Sequence, residues 1–309
     1  MSSSDEPKRQ STISPDPNHG AQGSKPRAKS ALQSGLYVTG VPIGNAKDIT
    51  LRALDTLRQA DAIAAEDTRV TARLLAMHGI SAKLISYREE NAARAIPTVL
   101  ARLARGEAVA LVTDAGTPHV SDPGASLVAA AAEAGHHVVA VPGPSALTAA
   151  LSISGLQARH TLFAGFLPPA AGARRSELAA LKSIDAALVF FEAPHRIAET
   201  LADMAAVLGE RPAVICRELT KRFEEARRGA LGELAALAAS DGDLQRGEIV
   251  IVVGPGAAET AEAAEASLDD ALRKALATMR VKDAADAVAG ALGLPRRQVY
   301  ARALELKGG

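Results

Sequence analysis

Short Val/Ile/Leu/Ala runs, each closed by a loop of Gly, Pro and Asp and followed by a stretch of helical length, recur along this chain from Gly35 onward. That alternation leaves few folds open. Strands alternating with helices of this length build βαβ units around a parallel sheet. The runs at 36–38, 62–65, 84–86, 109–112 and 138–141 read as strands. Helices are expected between them at 48–59, 70–77, 92–104 and 125–134, with Gly79 stopping the second. Near Gly155 the pattern changes, and the runs at 161–163, 187–191, 213–216 and 248–253 predict a second, mixed sheet.

Five of the connecting loops carry most of the functional information. They are Pro42-Ile43-Gly44-Asn45, Ala65-Glu66-Asp67-Thr68-Arg69, Thr113-Asp114-Ala115-Gly116-Thr117-Pro118, Pro142-Gly143-Pro144-Ser145 and Gly165-Phe166-Leu167-Pro168. Ligands of open α/β sheets collect outside the carboxyl ends of the strands, where such loops lie. Glycines there admit positive φ, prolines stiffen the frame, and successive amides form concave anion-binding nests. The third loop runs on into Ser121-Asp122-Pro123-Gly124, and the fourth opens a helix whose amino end suits a carboxylate or phosphate. Taken singly, Pro42-Ile43-Gly44-Asn45 is explained by a tight turn, and Asp67, Asp114 and Asp122 by capping. Five in succession imply a site.

Several chemistries are excluded. The first loop lacks G-x-G-x-x-G, and Gly254-Pro255-Gly256 stands at the wrong end of the chain for a dinucleotide fingerprint. There is no P-loop, no nucleophile elbow and no zinc spacing, so no metal is expected. Aromatic residues make up 3% of the chain and Trp is absent, which argues against stacking platforms for single-stranded nucleic acid. Formal net charge is zero, so any attraction to RNA must come from local clusters. Cys216, the single cysteine, sits in an apolar run as an inert thiol. No stretch reaches the ~18 apolar residues of a membrane helix, and a cytoplasmic protein is expected.

The expected organisation is a disordered tail at 1–34, α/β domains at 35–155 and 156–255, a linker at 256–266 and a helical module at 267–307. Two basic clusters stand out in the second domain. Arg174, Arg175 and Lys182 flank the fifth loop, and Arg217, Lys221, Arg222, Arg227 and Arg228 form the other. In the terminal module, Gly293 separates helical stretches, and Arg296, Arg297, Arg302 and Lys307 mark the last one as a basic helix of a helix-turn-helix arrangement. A three-helix cap with solvated arginines is the competing reading.

The order of these motifs resembles the tetrapyrrole methylase superfamily. Within it, the chain is similar to the ribosomal RNA small subunit methyltransferase I family, from about Leu36 to Leu306. The likeness rests on the loops above together with Glu192-Ala193-Pro194-His195-Arg196 and Arg217-Glu218-Leu219-Thr220-Lys221. It implies two α/β domains with the donor site in the cleft between them, plus the small C-terminal helical module. It also implies a homodimer, S-adenosylmethionine as methyl donor, and 2′-O-methylation of a cytidine in the decoding region of 16S rRNA, free or in the small ribosomal subunit.

Donor contacts are expected from Pro42, Gly44, Asp114, Ala115, Gly116, Pro118, Ser121, Pro142, Gly143, Ser145 and Leu167. Glu66 and Asp67 are the first candidates for a base, with Arg69 fixing them or holding phosphate, and Lys221 or His195 as substitutes. Two departures from the family pattern matter. Val41 replaces a usual Thr, removing a hydroxyl from the expected donor pocket, and Arg88-Glu89-Glu90-Asn91 replaces a His-x-His-Asn pattern. A tetrapyrrole or diphthine methylase, or a non-catalytic ribosome-binding protein, would share the fold.

Overall fold

The computed structural model describes residues 32–256, 261–292 and 294–308. Residues 1–31 of the expected 1–34 tail, and Gly293, expected to separate helical stretches, lie outside them. Residues 32–34 are already packed. Ser34 donates to the carbonyls of Leu103 and Glu107, and the Tyr37 hydroxyl donates to that of Gln33 at 2.8 Å.

The first sheet is wholly parallel, in the order β3 (Leu84–Ser86), β2 (Ala62–Ala65), β4 (Ala108–Val112), β1 (Gly35–Thr39), β5 (Val138–Val141). β2 and β4 are buried throughout, as continuous apolar runs covered on both faces must be. The covering helices are α1 (Leu51–Gln59), α2 (Thr68–Met77), α3 (Ala92–Ala104) and α4 (Ala125–Glu133). β4 lies between β1 and β2, so the crossovers part on either side of it. The carboxyl ends of β1 and β4 therefore flank a topological switch point, where such sheets bind ligands.

The second sheet is mixed, in the order β6 (Thr161–Phe166), β7 (Ala187–Glu192), β10 (Ile249–Val253), β8 (Pro212–Arg217), β9 (Glu225–Ala230). β6 and β7 run parallel and the remaining pairs antiparallel. One face packs on α6 (Ala171–Leu181), α7 (Ile197–Leu208) and α8 (Leu231–Ser240). The other receives α5 (Ala146–Ser154), whose Ala150 is buried among Val189, Val214, Cys216, Val250 and Val252. Gly155 ends α5 at φ 69°, the left-handed stop that glycine takes without a Cβ clash. This helix belongs to the first βα series by order and to the second sheet by packing, so it fastens one sheet against the other.

β9 has no counterpart among the expected strands, and its arginines are not a free basic surface. Arg227 pairs with Glu225, Arg228 donates to the carbonyls of Ile153 and Ser154, and Arg217 meets Glu225 at 2.9 Å. The expected linker is also shorter, because α9 (Ala261–Leu276) begins inside it. With α10 (Val281–Leu292) and α11 (Arg296–Gly308) it forms a module with its own core, including Leu268, Leu272, Val288, Val299 and Ala303.

Candidate active site

Four loops of the first sheet and the rim of the second converge on one cleft. Val41 and Gly116 exchange backbone hydrogen bonds of 2.8 and 3.2 Å, tying the first loop to the third. Gly40 and Gly143 tie the first to the fourth. A Cβ on Gly143 would fall 2.8 Å from the Gly40 carbonyl carbon, so only glycine permits that approach. From the other side Gly165, at a β6 bulge with φ 68°, meets Ser121 closely enough that a Cβ would stand 3.2 Å from its hydroxyl. The Asn45 amide donates to the Thr220 hydroxyl at 3.1 Å, closing the opposite end.

The four non-glycine residues with left-handed backbone among the described residues all frame this cleft: His119, Ser121, Glu218 and Thr220. Such conformations cost free energy and persist where surrounding structure holds them, commonly at functional sites. Between them lies a cavity of about 390 Å³, within the usual range for small-molecule sites. Its first-sheet wall carries Ala115, Gly116, Thr117, Ser121 and Ser145, and its second-sheet wall Phe166, Phe191 and Ile249. Ser145 caps α5 without a side-chain hydrogen bond, which leaves the first amides of that helix open.

The expected donor residues divide. Ala115, Gly116, Ser121 and Ser145 line this cavity. Pro42, Gly44 and Asp114 line an adjoining one of about 330 Å³, which Lys221 also borders. Pro118, Pro142, Gly143 and Leu167 line neither. Leu167 is buried in the second core, and Gly143 provides the close approach to Gly40. Val41 packs in the first core and lines the adjoining cavity but not the 390 Å³ one, so the hydroxyl it lacks is missing from the adjoining wall.

Behind the third loop the acids form a ladder. Glu66 accepts the Asp114 amide at 3.2 Å, and Asp114 accepts the Asp67 amide at 2.9 Å. Asp67 is the N-cap of α2, accepting from the Arg69 amide at 2.8 Å, and its carboxylate meets the Arg69 guanidinium at 2.6 Å. These hydrogen bonds hold it far below the ordinary carboxylate range. Asp67, an expected base, is thus held as an anion with Arg69 as its partner, which disfavours it as a proton acceptor. Lys221 is disfavoured on similar grounds. Burial favours its neutral form, but Glu218 at 2.8 Å and Glu248 at 3.2 Å prevail and keep it a cation.

Glu192 and Arg196 have a positioning role. Buried Glu192 accepts from the Thr200 hydroxyl at 2.5 Å and from Arg196, which in turn donates to the Leu167 carbonyl at 2.9 Å and so sets the fifth loop. His195 is exposed. Asp122, placed by the sequence in the extended third loop with capping as the competing reading and named neither as a base nor as a donor contact, is the acid the sequence undervalued. Burial and the charges of Glu66 and Asp114 push its carboxyl up to about 6. No single motif signals this, because three separate loops produce it.

Two sheets meeting at a cleft built from these loops define the tetrapyrrole methylase class. Residues 35–235 match the family described as Tetrapyrrole (Corrin/Porphyrin) Methylases. The fold is shared with a uroporphyrin-III-C-methyltransferase from Thermus thermophilus, 23% identical with a TM-score of 0.53 over 74% of this chain and 98% of that one. A diphthine synthase shares it too, at 18% identity and a TM-score of 0.52 over 71% and 89%. Residues 262–307 match the RsmI C-terminal HTH domain. The ribosomal RNA small subunit methyltransferase I of Mesorhizobium japonicum is 49% identical over 89% of this chain and 93% of its own length. That of Escherichia coli O157:H7 is 42% identical over 89% and 96%. The chain belongs to the ribosomal RNA small subunit methyltransferase I family and is a methyltransferase. Among the described residues no helix is long and apolar enough to cross a membrane.

Proposed function

We propose that this chain transfers a methyl group from S-adenosylmethionine to the ribose 2′-hydroxyl of a cytidine in the decoding region of 16S rRNA, acting as a cytoplasmic homodimer. The observation that carries the reading is the cleft cavity, whose walls suit that donor, in a chain whose relatives are named for the ribosomal RNA of the small subunit. Backbone at 115–117 lets a ligand approach closely. The open first turn of α5 suits the donor's carboxylate. Phe166, Phe191 and Ile249 suit its apolar and aromatic surface, and the Glu248 carboxylate favours a cationic ligand. The dimer follows from the resemblance to the family.

When bound, the donor supplies a methyl group on a sulfonium, electrophilic enough for direct transfer to oxygen. What the chain contributes is position and proton handling. Loops clamped to one another at Val41–Gly116, Gly40–Gly143 and Gly165–Ser121 keep the site preformed, and orientation of two reactants supplies up to ~7–11 kcal/mol in the best cases. The helix-turn-helix module suits the docking of a large RNA substrate.

The test is incubation of labelled donor with purified small subunits, free rRNA and a tetrapyrrole acceptor. Label on a ribose of the subunit or the rRNA is expected. Label on the tetrapyrrole, or on nothing, would overturn the reading.

A further inference from the structure

Two cavities meet at one pair of residues. Ser121 and Asp122 line the donor cavity, and they also line a second, of about 690 Å³, walled by Glu66 after β2, Asp114 after β4 and Arg88, Glu89 and Glu90 after β3. We infer that Asp122 is the proton acceptor for the attacking hydroxyl, its carboxylate standing where the donor cavity opens into an acid-walled acceptor cavity. The inference rests on the methyl-transfer reading above and names the base within that site.

Position selects Asp122. The oxygen that takes the methyl group must sit at the junction of donor and acceptor, and the base must touch it there. Glu192 and Glu248 line the donor side without the acceptor side, and Glu66, Glu89, Glu90 and Asp114 the reverse. Asp122 alone among these acids lines both. Several of the others are already engaged. Glu66 and Asp114 accept backbone amides, Glu89 accepts the Ser126 hydroxyl at 2.6 Å, and Glu192 accepts that of Thr200. The Asp122 carboxylate accepts no hydrogen bond from the described residues. The left-handed turns at His119 and Ser121, with Ser121 seated against Gly165, fix the loop that carries it. The acids of this wall do not converge as metal ligands would.

The surroundings suit the task. Burial, then the charges of Glu66 and Asp114, bring the carboxyl to about 6, so it is ionised at neutral pH yet basic enough to help a hydroxyl. Glu89, Glu90 and His119 face the same cavity, Arg88 opposes them with its positive charge, and Glu192 and Glu248 face Asp122 across the donor side. In the step, the hydroxyl O–H bond breaks and its proton passes to Asp122. The oxygen forms its bond to the methyl carbon, and the electron pair of the broken carbon–sulfur bond stays on sulfur. The protonated carboxyl then returns its proton to water.

The test has two arms on the full chain. Without donor or RNA, carbon-13 labelling of Asp carboxyls, with D122N identifying the resonance, should give a midpoint near 6 that falls in E66Q. A midpoint at the ordinary Asp value of about 3.9 would overturn the inference. With small ribosomal subunits and saturating donor, wild-type single-turnover rate should rise with pH through about 6. D122N should lose about 100-fold or more of it, and the pH dependence as well, while calorimetry shows donor affinity within a few-fold of wild type. A D122N protein with wild-type rate and pH dependence would overturn the base assignment alone. Wild-type protein that methylates no subunit would overturn the methyl-transfer reading, and the base with it.

Discussion

Arg174 in α6 and Asp203 in α7 form a buried ion pair, two guanidinium nitrogens each 2.7 Å from one carboxylate oxygen, with Arg174 only 2% exposed. Arg175, exposed, reaches the other oxygen at 2.6 Å. Inside the protein, Arg174 cannot meet RNA, so of the basic cluster Arg174, Arg175 and Lys182 only the last two are exposed.

Removing one member of a buried pair leaves the other charged and unsolvated. Arg174→Ala should therefore cost about 3–5 kcal/mol of stability, and Arg175→Ala, at the exposed end, far less. Burial works to raise the Asp203 pKa, but hydrogen bonds from Arg175 and Arg174 outweigh it and hold the group below its ordinary value. The pair's contribution is thus complete above the unfolded Asp pKa and declines as pH falls through the folded one. Urea unfolding at pH 7 and at pH 3 reads both effects. Equal midpoints for the two variants would refute the buried role.

Gly143→Ala puts a carbon 2.8 Å from Gly40 backbone, so one loop must move. Strain of about 1–3 kcal/mol is expected, read as weaker S-adenosylmethionine binding by calorimetry. Gly116→Val should act similarly, since Gly116 holds φ 75°, where a β-branched residue is strained. Gly172→Ala, whose added carbon meets nothing within 4 Å, is the control and should bind as wild type.

Asp67→Ala removes the α2 cap and the Arg69 partner while leaving Asp122 and Glu66 in place. Lower thermal stability with largely retained methyl transfer is the expected outcome. Because the Asp67 pKa is depressed, the stability gap should be full at pH 7 and should narrow as pH falls below about 3.9. Loss of transfer with an unchanged melting temperature would restore Asp67 to the chemistry.

The five loops were legible in the sequence because a buried parallel strand must be short and apolar, and a loop that brings backbone to a ligand needs Gly, Pro and Asp. Ala62–Ala65 into Glu66 shows both halves of that pattern. β9 was not legible: Glu-Ala-Arg-Arg-Gly-Ala at a sheet edge alternates no apolar face and reads as a charged surface. Nor were the arginine partners, since Asp203 reaches Arg174 only once α6 packs on α7. The Asp122 pKa depends on loops after two other strands, and no local motif encodes a field summed from three loops.

The C-terminal module offers fewer free cations than its sequence suggests. Arg302 is bound to Asp269 by two hydrogen bonds of 2.7 Å, and Arg296 pairs with Asp286, so both help hold α11 against its neighbours. Arg297 and Lys307 are exposed and form no ion pair with the described residues. If the module docks RNA, Arg297→Glu and Lys307→Glu should weaken binding to small subunits and lower the salt slope by about 1 for each phosphate no longer neutralised. Arg302→Ala should instead loosen the module itself, seen as faster amide exchange in α9 and α11. Deleting residues 257–309 should leave donor affinity unchanged, because the donor cavity is lined by residues before 251, and should abolish methylation of the ribosomal substrate. Full activity in the truncated chain would reduce the module to a cap.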